Sequence, residues 1–184
     1  MQKLYKKLKK YTIEEVIKLE ESDRQFIALE NLYNKINDKS LYLSLILANS
    51  IVCYQLSWKW EDYWEEFSEY FSMLNWKTKG VITELKNFIK QSKNNKRFIN
   101  IKIKRLEKLE KFLNKFRENE EKYYDNMILL RDELAKTMKQ KSDAKTIVFA
   151  VKMFSYWARN SFNTIKFFPK DLTIPIDSRL TNLF

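Results

Sequence analysis

The sequence predicts an all-α protein, and three observations carry that prediction. Apolar residues recur at helical spacing along nearly the whole chain, and no run alternates with the period of two that a half-buried strand needs. One glycine, Gly80, and two prolines, Pro169 and Pro175, leave few interruptions in 184 residues. Two stretches, T-I-E-E at 12–15 and S-D-R-Q at 22–25, have the capping-box form, a hydroxyl followed three residues later by Glu or Gln.

Taken in order, the two capping boxes start two short helices after Thr12 and Ser22. The stretch L-Y-L-S-L-I-L-A-N-S-I-V-C-Y-Q-L at 41–56 is short for a membrane span and is interrupted by Ser44, Asn49, Ser50 and Gln55. It reads as a central buried helix, with Asp38 and Ser40 available as caps. An aromatic helix follows over 60–72, and Gly80 marks another over 78–91. Ser-Lys-Asn-Asn at 92–95 is the clearest linker and divides a single unit into approximate subdomains 1–91 and 96–184. Phe98 to Phe116 is a long amphipathic helix with Leu106, Leu109, Leu113 and Phe116 on one stripe and its lysines on the solvated face. A helix over 121–139, the polar hairpin K-Q-K-S-D at 139–143 and a second helix through 160 come next. The run F-F-P-K-D-L-T-I-P-I-D at 167–177 is expected to be extended, because proline disfavours helix at and before itself.

Composition narrows function. The chain has no His and a single Cys53, which excludes zinc and iron-sulfur centres, disulfide scaffolds and His-based triads. One glycine cannot build a Gly-rich phosphate loop. With 45% hydrophobic and 15% aromatic residues the chain can bury a real core, and without a disulfide framework or signal-peptide pattern a reducing intracellular compartment is expected. The net charge of +11 points to a polyanionic partner, nucleic acid before a membrane. It is unevenly spread: nine Lys and Arg against three Asp from Lys136 onward, but five acids against one Lys over 58–71.

The hairpin and the helix after it hold the chemical candidates. Free backbone N–H groups at a helix start, flanked by Lys136, Lys139 and Lys141, suit a phosphate, although an ordinary turn with solvated lysines reads equally well from these residues alone. Between Ala144 and Arg159 nearly every residue is apolar, so Lys145 in the first turn is expected to be partly buried. Lys145, Phe149, Lys152 and Tyr156 share one stripe. Burial and the positive end of the helix dipole both favour a neutral, nucleophilic amine, and a lysine that snorkels to solvent is the alternative. Downstream, I-P-I-D-S-R at 174–179 can hold the Asp177 carboxylate beside Arg179 on a proline-stiffened run.

A lysine in the first turn after a hairpin, followed by hydrophobic-Pro-hydrophobic-Asp, resembles the helix-hairpin-helix-GPD superfamily of DNA glycosylases. More narrowly the chain resembles the archaeal 8-oxoguanine DNA glycosylase family, often called AGOG. The similar stretches are I-E-E-V-I-K-L-E with D-R-Q-F (13–26), N-S-I-V-C-Y-Q-L-S (49–57), E-D-Y-W-E-E-F-S-E-Y-F (61–71), K-T-I-V-F-A-V-K (145–152) and I-P-I-D-S-R (174–179), in the family's order and spacing. The resemblance implies a helix-hairpin-helix bundle of about eight to ten helices, in two helical subdomains with the active site between them. It implies a bifunctional DNA repair glycosylase and lyase that removes 8-oxoguanine from double- or single-stranded DNA and acts at abasic sites. Lys145 would be the Schiff-base nucleophile at C1′ and Asp177 the carboxylate that stabilises charge and assists proton transfer. Gln25, Trp64 and Phe149 would recognise the base, and Lys139, Lys141, Ser142 and Arg179 would hold the DNA backbone. No metal or cofactor is implied, no membrane is involved, and the expected location is cytoplasmic, at the nucleoid.

Three departures from the family pattern modify those expectations. The hairpin lacks the superfamily's glycines. Trp58 and Trp60 replace small residues, often glycines, ahead of E-D-Y-W, which narrows the pocket entrance or adds a stacking surface. The sequence ends at Phe184, where family members continue with a helical segment that adds an acid and an aromatic to the pocket. The expectation is therefore a pocket completed by a second chain or a homodimer partner, with an open, more promiscuous pocket or a non-catalytic DNA-binding module as the alternatives. A helical protein-protein adaptor using the acidic aromatic helix is the rival class.

Overall fold

A computed structural model of the chain describes Lys6 and residues 9–173. Among these residues the regular structure is helical: α1 (Ile13–Glu21), α2 (Arg24–Ile36), α3 (Lys39–Val52), α4 (Trp60–Ser72), α5 (Val81–Gln91), α6 (Ile99–Arg117), α7 (Glu120–Asp125), α8 (Met127–Met138) and α9 (Lys145–Phe162), with a 3-10 turn at Trp76–Thr78. The all-α expectation holds. Among the described residues no helix is long and apolar enough to cross a membrane.

Helix α3 is the axis of the fold. Every residue from Leu41 to Val52 is buried, so it is apolar all round where a surface helix would show a stripe. Helices α2, α5, α6 and α9 pack around it, and α2 also packs along α4. Asp38 caps α3 by accepting the Leu41 N–H at 2.9 Å, which satisfies one of the donors a helix start leaves open. The stripe Leu106, Leu109, Leu113 and Phe116 faces the interior as expected.

Several local expectations change. Thr12 and Glu15 form the first capping box, but at the second Asp23 takes the N-cap by accepting the Gln25 N–H at 2.7 Å, while Ser22 Oγ turns back to donate to the Leu19 carbonyl. The short Asp side chain one residue later reaches the helix start better, and this leaves the Gln25 side chain free for other work. The stretch 92–95 is no loose linker. Glu66 accepts from Ser92 Oγ (2.8 Å), Lys93 N (2.6 Å) and Asn94 Nδ2 (2.8 Å), and Asn95 has no exposure at all. The helix expected over 121–139 is two helices, because Asn126 leaves helical geometry to cap α8 through Leu129 N at 2.9 Å. Lys102 is buried and does not join the solvated face of α6. The run expected to be extended from 167 contains a turn closed by Leu172 N donating to Pro169 O at 2.9 Å, and Arg131 holds it by donating to the Asp171 carbonyl at 2.8 Å.

Candidate active site

Lys145 is the first residue of α9 and lines a cleft of about 520 Å³ with Ser50, Cys53, Tyr54, Gln55, Trp60, Thr146 and Phe149. The expected burial of Lys145 is not found: its residue is exposed, at the mouth of the cleft. The open cleft leaves its side chain in contact with solvent, so what the fold supplies is placement at the positive helix end.

That placement follows from the hairpin. Lys139 ends α8 in the left-handed region (φ 52°), and its N–H and that of Gln140 bond back to α8 carbonyls. Ala144 is extended, and α9 starts one residue later. Arg105 of α6 then ties three elements together: Nη2 donates to Thr146 Oγ1 (2.9 Å) and Gln140 Oε1 (3.0 Å), and Nε donates to the Ile51 carbonyl (3.2 Å). Lys139, Lys141 and Ser142 are exposed. Among the described residues, the backbone N–H groups of Lys141, Ser142 and Asp143 meet no acceptor, which leaves donors open toward solvent beside two cations.

The far wall of the cleft is Tyr54, whose ring lies 4.8 Å from Lys102 Nζ and 5.5 Å from the Arg105 guanidinium. Lys102 Nζ also donates to the Tyr54 carbonyl at 2.7 Å and to Asn95 Oδ1. Burial lowers its pKa to about 8, and the Arg97 charge acts in the same direction.

The stripe Lys145, Phe149, Lys152 and Tyr156 serves two cavities. Lys145 and Phe149 face the first, while Lys152 and Tyr156 line a second of about 220 Å³ with Asp23, Gln25, Phe26, Met153 and Phe168. Burial lowers the Lys152 pKa, and its ammonium sits 4.8 Å from the centre of the Phe168 ring. Gln25 belongs to this second cavity; its Oε1 accepts the Trp60 indole N–H at 2.6 Å and its Nε2 lies 3.6 Å from Met153 Sδ. Its neighbour Arg24 ties α2 to α4 through Asp62 (2.9 Å) and Glu65 (2.6 Å).

Phe149 is half-buried and meets the Trp60 ring edge to face, with centroids 5.2 Å apart. Trp64 is fully buried behind Trp60, whose ring is 5.9 Å away, and its indole N–H has no partner among the described residues. Trp58 is 71% exposed on the loop before α4. Asp177 and Arg179 lie outside the described residues. The structure thus gathers Lys145, Phe149, Trp64 and Gln25 around one residue, Trp60, that the sequence marked only as a departure. Tyr54 lies in the similar stretch 49–57 but was not singled out within it, and Arg105 belongs to no motif.

These features define a helical bundle in which a polar hairpin presents a lysine, at a helix start, to an aromatic cleft. The model of the AGOG family, N-glycosylase/DNA lyase, matches residues 5–184, and the chain belongs to this family. Among its relatives, the N-glycosylase/DNA lyase of Thermococcus kodakarensis is 44% identical over 97% of this chain and 68% of its own length. That of Methanococcus maripaludis is 41% identical over 88% of this chain and 64% of its own. A crystal structure of the 8-oxoguanine DNA glycosylase from Pyrobaculum aerophilum, complexed with 8-oxoguanosine, superposes with a TM-score of 0.81 at 26% identity, covering 97% of this chain and 66% of that one. The chain therefore spans about two thirds of the length of the proteins it matches.

Proposed function

We propose that this protein is a bifunctional DNA glycosylase and lyase that removes 8-oxoguanine from DNA, working where the cell's DNA is. The observation that carries the reading is Lys145 at the mouth of an aromatic cleft, in a chain whose relatives are named N-glycosylase/DNA lyase. The substrate comes from the Pyrobaculum protein, which is described as an 8-oxoguanine glycosylase and is complexed with 8-oxoguanosine.

A base inside a duplex shields C1′, so the target nucleotide must leave the stack, at a cost of a few kcal/mol. In the proposed sequence Lys145 Nζ forms a bond to C1′ as the C1′–N9 bond breaks and its electron pair departs with the base, which takes up a proton. The bonded amine gives up one proton to the ring oxygen O4′ as the C1′–O4′ bond breaks, and keeps the other in a protonated Schiff base. Removal of a C2′ proton then expels the 3′ phosphate and cuts the strand. Asp177 is assigned the carboxylate that faces the positive charge developing on the sugar. Phe149 offers a stacking surface, and Gln25 Oε1 is suited to accept the N7–H that distinguishes the oxidised base from guanine. Lys139, Lys141, Ser142 and Arg179 are assigned to backbone phosphates. Each step uses an amine, a carboxylate and water.

The test is a duplex carrying one 8-oxoguanine, incubated with the protein in chelator and then treated with borohydride to reduce any imine. The wild type should form a covalent adduct, and Lys145→Gln should form none, with strand cleavage slower by on the order of a thousandfold or more. DNA binding without an adduct from the wild type would overturn the lyase reading in favour of a binding module or of a site completed by a second chain.

A further inference from the structure

We infer that Trp60 is the gate of the base subsite: its indole holds Gln25 in the free protein, and an extruded base must displace it before Gln25 can read that base. The inference rests on the proposed function and deepens it by assigning a specific role to a residue that the sequence placed only at the pocket entrance.

Trp60 closes the passage between the two places a base must reach. The nucleophile candidate Lys145 and the platform Phe149 line the larger cavity, and Gln25 lines the smaller one, with no lining residue in common. The Trp60 side chain lines the first cavity and donates its N–H at 2.6 Å to the Gln25 carbonyl of the second. A base seated by Lys145 therefore meets the indole before it meets the amide.

The ring geometry agrees. A base sandwiched between two aromatic planes needs them about 7 Å apart and parallel, twice the ordinary carbon contact distance. Trp60 and Phe149 stand 5.2 Å apart at 86°, so the slot is closed. Behind Trp60 the buried Trp64 indole N–H has no partner, a donor that departure of Trp60 would expose to a base oxygen or to water. Trp60 is also placed to move: it is half-buried and is the first residue of α4, whose N-cap Lys59 makes no side-chain cap bond.

Displacement also sets what the gate does to selectivity. An oxidised base brings its own N7–H to replace the indole on Gln25, while guanine brings an acceptor and leaves the carbonyl unsatisfied. Moving Trp60 aside is required for either base, so the gate lowers affinity for both and leaves their ratio to Gln25.

The experiment titrates 8-oxoguanosine and guanosine calorimetrically into the wild type, Trp60→Phe and Trp60→Ala, with the borohydride trap run on each. Trp60→Phe keeps a ring and the helix start but loses the donor, and should bind 8-oxoguanosine about two- to tenfold more tightly, the factor a net hydrogen bond represents. Trp60→Ala should gain at least as much, and the preference for 8-oxoguanosine over guanosine should stay within about twofold of the wild type. If Trp60→Ala proves poorly folded by circular dichroism, the Trp60→Phe comparison decides alone. Equal or weaker binding by Trp60→Phe, in a protein whose wild type still traps, would make Trp60 a fixed wall or a stacking platform and end the gate while leaving the glycosylase reading intact. A wild type that neither traps nor binds the nucleoside would remove that reading, and the gate with it.

Discussion

Lys102 is a lysine with no solvent exposure, held by the Tyr54 carbonyl and Asn95 Oδ1 beneath the cleft. Asn95 donates in turn to the Tyr63 hydroxyl (3.3 Å) and the Val52 carbonyl (3.4 Å), and Tyr63 donates to Asn49. This buried chain fixes the end of α3, where Cys53 and Tyr54 turn into the cleft. Its electrostatic cost is measurable. Burial lowers the Lys102 pKa from 10.5 to about 8, so between those values the unfolded chain binds the proton that the fold rejects. Stability from this group therefore rises with pH across that window, and below about pH 8 the penalty is fully imposed. Its span is up to about 3 kcal/mol, at 1.36 kcal/mol for each tenfold change in proton affinity. Urea unfolding from pH 7.5 to 9.5 should show that rise, and Lys102→Met should flatten it. Equal slopes in the two proteins would mean that the ammonium is solvated in the fold.

Between elements, one guanidinium sets the pose of the nucleophile candidate. Arg105 reaches from α6 to the end of α3, the hairpin and the first turn of α9, all at hydrogen-bond distance. Arg105→Ala leaves Gln140 Oε1 and the Ile51 carbonyl without this donor and frees the turn that carries Lys145. A displacement of about 1 Å at a reacting group can cost about a hundredfold in rate, so imine formation at saturating DNA should fall by ten- to a hundredfold. Arg105→Lys, which keeps the charge but not the fork, should recover only part, and amide exchange at residues 139–147 should quicken in step. Unchanged trapping with faster exchange would show that the tie stabilises the hairpin without positioning Lys145. How much of this was legible in the sequence follows from the range of each interaction. The buried run Leu41–Val52 and the Lys145–Phe149 stripe were readable because both are set by spacing within one helix. The break at Asn126 was not, because apolar residues continue on both sides of it. The Trp60–Gln25 bond joins residues 35 apart and the Arg105–Thr146 bond residues 41 apart, and no periodicity encodes such pairs.

At the scale of the whole molecule, charge is suited to what the proposed substrate needs beyond the cleft, a hold on a long polyanion. The net +11 has a clear local expression where α6 runs beside α8. Arg105 meets Gln140 at one end of this contact and Lys115 meets Glu133 at the other, so the two helices lie antiparallel for about 15 Å, ten residues at 1.5 Å each. A groove of about 480 Å³ between them is lined by Lys108, Lys111, Lys115 and Lys136 against the single acid Glu133. Glu133 is already engaged by Lys115 at 2.7 Å and by the Tyr123 hydroxyl at 2.6 Å, so the other three lysines have no counter-charge in the groove. One turn beyond Lys136 the chain enters the hairpin, where the exposed Lys139 and Lys141 carry the same sign. Each phosphate neutralised adds about 0.9 to the steepness with which log affinity falls against log salt. Lys108→Gln with Lys136→Gln should therefore reduce the slope for a long duplex by about 1.8, if each contacts one phosphate. Lys18→Gln with Lys35→Gln, on α1 and α2, should leave it unchanged. With a short duplex centred on the lesion the first pair should matter less, because the groove then extends past the end of the DNA. An identical loss of slope from both pairs, on both lengths, would instead assign binding to the diffuse positive field of the molecule and not to this track.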